Sequence, residues 1–154
     1  MSDDGLFRYT QCGLDNIWLA GGFRVVETDY GRGFAVDNAQ ELHQVIARDI
    51  VDHPQPLRGQ EARFLRSVLN LSQADMARLL GVDRTTVVRW EGARTKPLNL
   101  MADIAIRATY TARAGDSLIA TVIRELQEAE AAKHSGGARV VFDARNSGWH
   151  RVAA

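Results

Sequence analysis

The sequence predicts a mainly α fold, opened by a small α+β unit and closed by a short β hairpin. Three observations carry that prediction. From Asn38 onward, apolar residues recur at three- and four-residue spacing between recognisable helix starts and stops. Residues 6–37 show instead short β-rich runs separated by glycine and aspartate turn signals. Between Leu71 and Pro97, two short helical patterns meet at a single glycine, Gly81.

Composition sets the outer bounds. The 154 residues, 45% hydrophobic and 25% charged, suffice for one or two small globular domains. No apolar run approaches the roughly 18 residues of a membrane span, and the start MSDDGLFRY lacks a basic-then-apolar signal region. The single cysteine excludes an internal disulfide and suits a reducing compartment, so a cytoplasmic location is expected. The net charge of zero conceals an asymmetry. Residues 1–57 carry 4 Lys/Arg against 9 Asp/Glu, residues 58–113 carry 10 against 5, and residues 114–154 carry 5 of each. The cationic middle suits phosphate binding, and the acidic start would be repelled by it.

Taken in order, Leu6 to Gln11, Ile17 to Ala20, Phe23 to Thr28 and Gly33 to Val36 read as strands of a β-meander. Asn38 and Glu41 form a capping box for a helix to about Asp52, with Leu42, Val45, Ile46, Asp49 and Ile50 on its inner stripe. His53-Pro54-Gln55-Pro56 ends that helix as a stiff linker, closing a first unit over residues 1–56. A second unit, 57–134, starts with a helix from Leu57 or Gly59 to Asn70, with Ala62, Leu65 and Leu69 facing inward. Ser72 with Asp75 caps the next helix, Met76, Ala77 and Leu80 face its core, and Gly81 stops it. Val82 plugs the corner, and Asp83 caps a helix from Arg84 to Glu91 that turns Val87 and Trp90 inward. Pro97 opens a further helix at its tolerated first turn, burying Leu100, Ile104 and Ala108. Asp116 caps a last helix to about Lys133, striped with Ile119, Val122, Ile123 and Leu126. Ser135-Gly136-Gly137 is a flexible break. It leads into a C-terminal extension, 135–154, where Ala138 to Ala144 pairs with Gly148 to Val152 around Arg145-Asn146-Ser147. The last helix and these strands complete either the core or a dimer interface, with Phe142 and Trp149 as aromatic anchors in both cases.

The stretch L-S-Q-A-D-M-A-x-L-L-G-V-D-R-T-T-V-V-R-W-E, from Leu71 to Glu91, resembles the helix-turn-helix of the lambda-repressor-like (XRE) regulators. The likeness extends back to Leu65-Arg66 and forward to Lys96-Pro97, and covers roughly Leu57 to Arg113. It implies a five-helix domain whose Arg84–Glu91 helix enters the major groove of DNA. A shorter stretch, YTQCGLDNIWL from Tyr9 to Leu19, resembles bacterial regulators related to the MqsA-type antitoxins. Those antitoxins hold zinc through cysteines. With Cys12 alone, a four-cysteine site cannot form within one subunit, and no metal or other cofactor is expected here.

By the first resemblance, Arg84, Thr85 and Arg89 are the candidates for base readout. Arginine can reach guanine O6 and N7 together, and a threonine methyl can touch the thymine methyl. Gln73 and Thr86 match positions that grip the phosphate backbone, and Arg94, Thr95 and Lys96, just past the helix, should do the same. Such contacts fix register without carrying sequence information. For Arg94 and Lys96 a plain surface charge competes with that role; Arg58 and Arg63 are further candidates. The resemblance also pairs Arg66 with Glu91 as a structural ion pair. Trp90 reads as core, because its i−3 neighbour Val87 is apolar.

Catalysis has no comparable signature. Cys12 and the four histidines are scattered, without an HExxH, GxSxG or CxxC pattern. A Cys12–His43 pair is conceivable, but a lone cysteine in a strand-rich segment reads more simply as a small buried residue. The expectation is therefore a non-enzymatic, homodimeric repressor that binds double-stranded DNA at an inverted-repeat operator of its own operon. Its specific form is an antitoxin that neutralises a cognate toxin through the N-terminal unit. The alternative is a protein-interaction adaptor whose helix-turn-helix no longer binds DNA, and Arg84, Arg89, Arg94 and Lys96 argue against it.

Overall fold

The computed structural model describes residues 5–114, 138–146 and 148–152. Among them are six strands: β1 (Phe7–Arg8), β2 (Ile17–Leu19), β3 (Phe23–Thr28), β4 (Gly31–Val36), β5 (Val140–Asp143) and β6 (His150–Val152). Five helices accompany them: α1 (Ala39–Asp52), α2 (Gly59–Val68), α3 (Gln73–Leu80), α4 (Arg84–Gly92) and α5 (Leu100–Arg113). Two compact units result, Met1–Ile46 with Gly137–Ala154 and Ala47–Gly136, and α1 contributes to both. The helix expected from Asp116 to Lys133 lies outside the described residues.

In the first unit the early strands do not make one meander. The sheet runs β1-β2-β5-β6, with β2 and β5 parallel and the other pairs antiparallel, while β3 and β4 form a separate hairpin. Strand β5 takes the edge of β2 that a meander would have offered to β3. All four residues of β5 are buried, and Asn16 anchors its approach by donating to the Ala138 carbonyl at 3.0 Å. The backbone leaves β2 through Gly22, whose φ of +79° favours glycine and whose added Cβ would lie 2.6 Å from the Trp149 ring. Phe142 and Trp149 are thus core residues of one subunit, and Trp149 donates its indole N–H to the Asp37 carbonyl at 2.9 Å. The β3–β4 hairpin touches the sheet at its base, where Phe34 stacks on Phe7 at 4.2 Å between ring centroids. Its distal part is exposed, including Val25, Val26 and Tyr30.

The second unit follows the helix signals more closely. Ser72 accepts from the Asp75 N–H and Asp75 from the Ser72 N–H, so α3 carries a complete capping box. Those hydrogen bonds hold the Asp75 carboxyl below the usual carboxylate range. Gly81 ends α3 at φ +70°, and three residues later α4 begins. Asp83 occupies the N-cap of α4, but its side chain makes no capping hydrogen bond. Asn70, at φ +56°, closes α2 in a Schellman arrangement, with Leu71 N–H donating to Arg66 and Asn70 N–H to Ser67. Met76, Ala77 and Val87 then form a buried cluster, flanked by Leu71, Leu80, Val82 and Trp90.

Helix α5 departs from expectation. Pro97 does not start it; Pro97 bridges to Arg58, and Asn99 caps the helix by accepting from the Ala102 N–H. The inward face carries Ala102, Asp103, Ile106, Arg107, Tyr110 and Thr111, whereas Leu100 and Ala108 are exposed and Ile104 is half-buried. The reason is a buried charge. Arg107, 0% exposed, pairs with Asp103 at 2.5 Å and donates to the carbonyls of Ile50, Val51, His53 and Gln55. The other Asp103 oxygen accepts from the Leu57 N–H at 2.8 Å. One guanidinium thus satisfies the open carbonyls at the end of α1 and holds the linker down on α5.

Two outcomes test this description. Arg107→Met leaves Asp103 buried without its cation and should lower unfolding stability by about 3–5 kcal/mol in urea titration. In the first unit, Tyr9 Oη lies 2.9 Å from His43 Nε2, and burial pushes the His43 pKa below its ordinary value. A lowered histidine pKa makes the unfolded chain the better proton binder, so stability falls as pH drops through about 6.5. The melting temperature should therefore fall further between about pH 7.5 and 5.5 in the wild type than in His43→Gln; equal falls would remove this contribution.

Candidate functional site

Glu91 sits near the end of α4 with 6% of its side chain exposed, and a carboxylate so placed needs partners. It has two. Arg66 of α2 grips it with both arms of the guanidinium, Nε to Oε1 at 2.5 Å and Nη2 to Oε2 at 3.0 Å. Gln73, the first residue of α3, donates its amide to Oε2 at 2.9 Å. The remaining Arg66 donor meets the Leu71 carbonyl at 2.8 Å, just before α3 starts. The Gln73 oxygen faces Arg84 Nη2 at a long 3.5 Å. Arg66, Glu91, Gln73 and Arg84 therefore form one chain of side chains from the interior to the surface.

This chain edges an open cleft of about 610 Å³ between the start of α3 and the flank of α4. Arg63, Arg66 and Arg84 contribute positive charge to it, and Val88 an apolar patch. Arg84, Thr85, Val88 and Arg89 are exposed on α4, while Thr86 is half-buried, its N–H bonded to the Asp83 carbonyl in the first turn. Gln73, expected as a backbone contact, is engaged inward with Glu91 and outward with Arg84. Arg58 is not a surface candidate. It is buried and locked onto Glu61 by its backbone N–H and its guanidinium.

Arg94, Thr95 and Lys96 lie exposed in the segment after α4, apart from the cleft. Their path is set by the start of α2: Gly59 N–H donates to the Lys96 carbonyl, and both the backbone and the side chain of Gln60 donate to the Arg94 carbonyl. The approach is so close that a Cβ on Gly59 would lie 2.0 Å from the Trp90 oxygen. Ala93 ends α4 at φ −86°, so this exit does not require glycine. Gln60 and Val88 are the residues that sequence reasoning passed over. Nothing local marks Gln60, whereas Val88 was visible as the one apolar break in a polar helix face.

Cys12, in the first unit, is half-buried. Its thiol points to the Tyr9 carbonyl, and burial raises its pKa, the opposite of what a nucleophile needs. His43 Nε2 lies 2.9 Å from Tyr9 Oη. Among the described residues, no group of three or more His, Cys, Asp or Glu side chains is placed to hold a metal ion, and no helix is long and apolar enough to cross a membrane.

Replacing Glu91 with alanine strands Arg66 and Gln73 together. Unfolding stability should fall by about 3–5 kcal/mol, and an unchanged denaturation midpoint would show that the junction holds nothing.

Set beside known proteins, the chain matches no family model, no curated protein and no solved structure, so the functional reading rests on the junction at Glu91 and the exposed face of α4.

Proposed function

We propose that this protein is a sequence-specific DNA-binding transcriptional regulator, with α3 and α4 acting as a helix-turn-helix and α4 as the recognition helix. One observation carries the reading. The exposed side of α4 presents Arg84, Thr85 and Arg89, and Arg84 is tied through Gln73 and Glu91 to Arg66 in the interior. A cationic, pre-ordered helix face of this kind suits base edges in the major groove. Arg94, Thr95 and Lys96 then serve as phosphate contacts, on a segment whose backbone is fastened to α2. The excess of 10 Lys/Arg over 5 Asp/Glu in residues 58–113 supports the same assignment.

In this reading the protein acts as a homodimer on an inverted repeat and represses by occupying its own operator. The antitoxin form adds a toxin protein as the partner of the first unit. The exposed apolar residues of the β3–β4 hairpin, Val25, Val26 and Tyr30, are compatible with a protein partner there. They equally favour the second reading, an adaptor that works through protein contacts alone.

Binding of the full chain to DNA upstream of its own gene, followed by fluorescence anisotropy across salt concentrations, separates the two. A regulator forms a specific complex whose affinity falls steeply as salt rises. Arg89→Ala should then lose about 1–3 kcal/mol on the preferred site and relax specificity at one position, whereas Lys96→Ala should weaken all sequences alike and reduce the salt slope by about 1. A folded protein with no specific complex at any salt concentration would favour the adaptor.

A further inference from the structure

Val88 stands apart from the apolar cluster beside it. Its neighbour Val87 is 2% exposed and packs with Met76 and Ala77, whereas Val88 points outward from α4 and is 42% exposed. A β-branched side chain on the solvent side of a helix lowers helix propensity without adding to the core. The cleft at this place is otherwise polar, lined by Arg63, Gln73, Arg84 and Glu91, with Ala74 as the other apolar side chain. Gln73 is engaged with Glu91 and, at a long 3.5 Å, with Arg84, while Val88 remains exposed beside them. One turn further on, Gly92 adds no side chain, and a Cβ there would meet nothing within 4 Å.

We infer that Val88 is a specificity-determining residue that reads the 5-methyl group of a pyrimidine in the major groove. The inference rests on the DNA-binding reading proposed above. The 5-methyl is the one apolar feature a base pair shows in that groove, and an aliphatic side chain is its complement. Thymine supplies it always, and cytosine supplies it when methylated at C5. Position on the helix narrows the site further. Arg84 and Val88 are four residues apart, about 6 Å along the helix axis, against roughly 3.4 Å per base step in DNA. The methyl read by Val88 therefore lies within about two base pairs of the guanine contacted by Arg84.

The test uses the full chain and the duplex it binds specifically. Each thymine is replaced in turn by deoxyuridine, which removes only the methyl, and each cytosine by 5-methylcytosine. Wild type and Val88→Ala are titrated on every duplex, with equal melting temperatures as the folding control. One thymine per half-site should weaken wild-type binding roughly fourfold on losing its methyl, and should make no difference to Val88→Ala. That thymine should lie within about two base pairs of the position where Arg84→Ala relaxes discrimination. If the natural ligand is methylated DNA, one 5-methylcytosine strengthens wild-type binding instead, again without effect on the variant. Methyl effects of equal size in both proteins, or none in either, would overturn the assignment of Val88. Failure of the wild type to bind any duplex specifically would overturn the regulator reading itself, and this inference with it.

Discussion

A carboxylate cannot be taken out of water without partners, and the placement of Glu91 binds three helices to that condition. Its partners come from α2 and α3, its backbone from α4, and the bidentate geometry of Arg66 leaves little freedom in how the three meet. Pairs of this kind add little net stability compared with apolar packing, but losing one partner is costly. Here the pair joins α2 to the end of α4 and, through Gln73, to the start of α3. Through Gln73 that interior pair reaches Arg84 on the surface of α4, at a long 3.5 Å.

A second buried charge solves a different problem. Helix α1 ends before a proline-containing linker, which leaves its last carbonyls without helical partners. Arg107 supplies the missing donors from α5, and Asp103 both neutralises it and accepts from the first residue after the linker. The start of α2 handles the end of α4 in the reverse sense. There the backbone N–H groups of Gly59 and Gln60 meet carbonyls of the segment after α4, with glycine allowing the two backbones to touch. In the second unit, therefore, helix ends are satisfied by one another as much as by their own caps.

Much of this was readable in advance. Ser72, Asp75 and Gly81 act through bonds that close within a few residues, so their types and spacing were sufficient to place α3 and the turn after it. The inward positions of Met76, Ala77 and Val87 followed from helical periodicity for the same reason. Where the sequence misled, a distant partner had intervened. Periodicity alone put Leu100 and Ala108 of α5 in the core, but the carbonyls after α1 drew Asp103 and Arg107 inward instead. Pro97 had the chemistry of a helix start, yet its bridge to Arg58 held it in extended backbone. The meander was a reasonable assembly of adjacent strands until β5, more than 100 residues later, took its place beside β2.

The candidate site divides along the same line. Residue types and spacing alone determined which segment is cationic, where α4 begins, and which of its residues face away from Val87, because helical geometry and charge are properties of the local chain. Only the tertiary structure decided that Gln73 turns toward Glu91 and that Val88 stands open beside a polar cleft. Each of those outcomes depends on which other side chain arrives within about 3 Å, the range over which a hydrogen bond forms. That distance is set by the packing of helices far apart in sequence, and no local pattern encodes it.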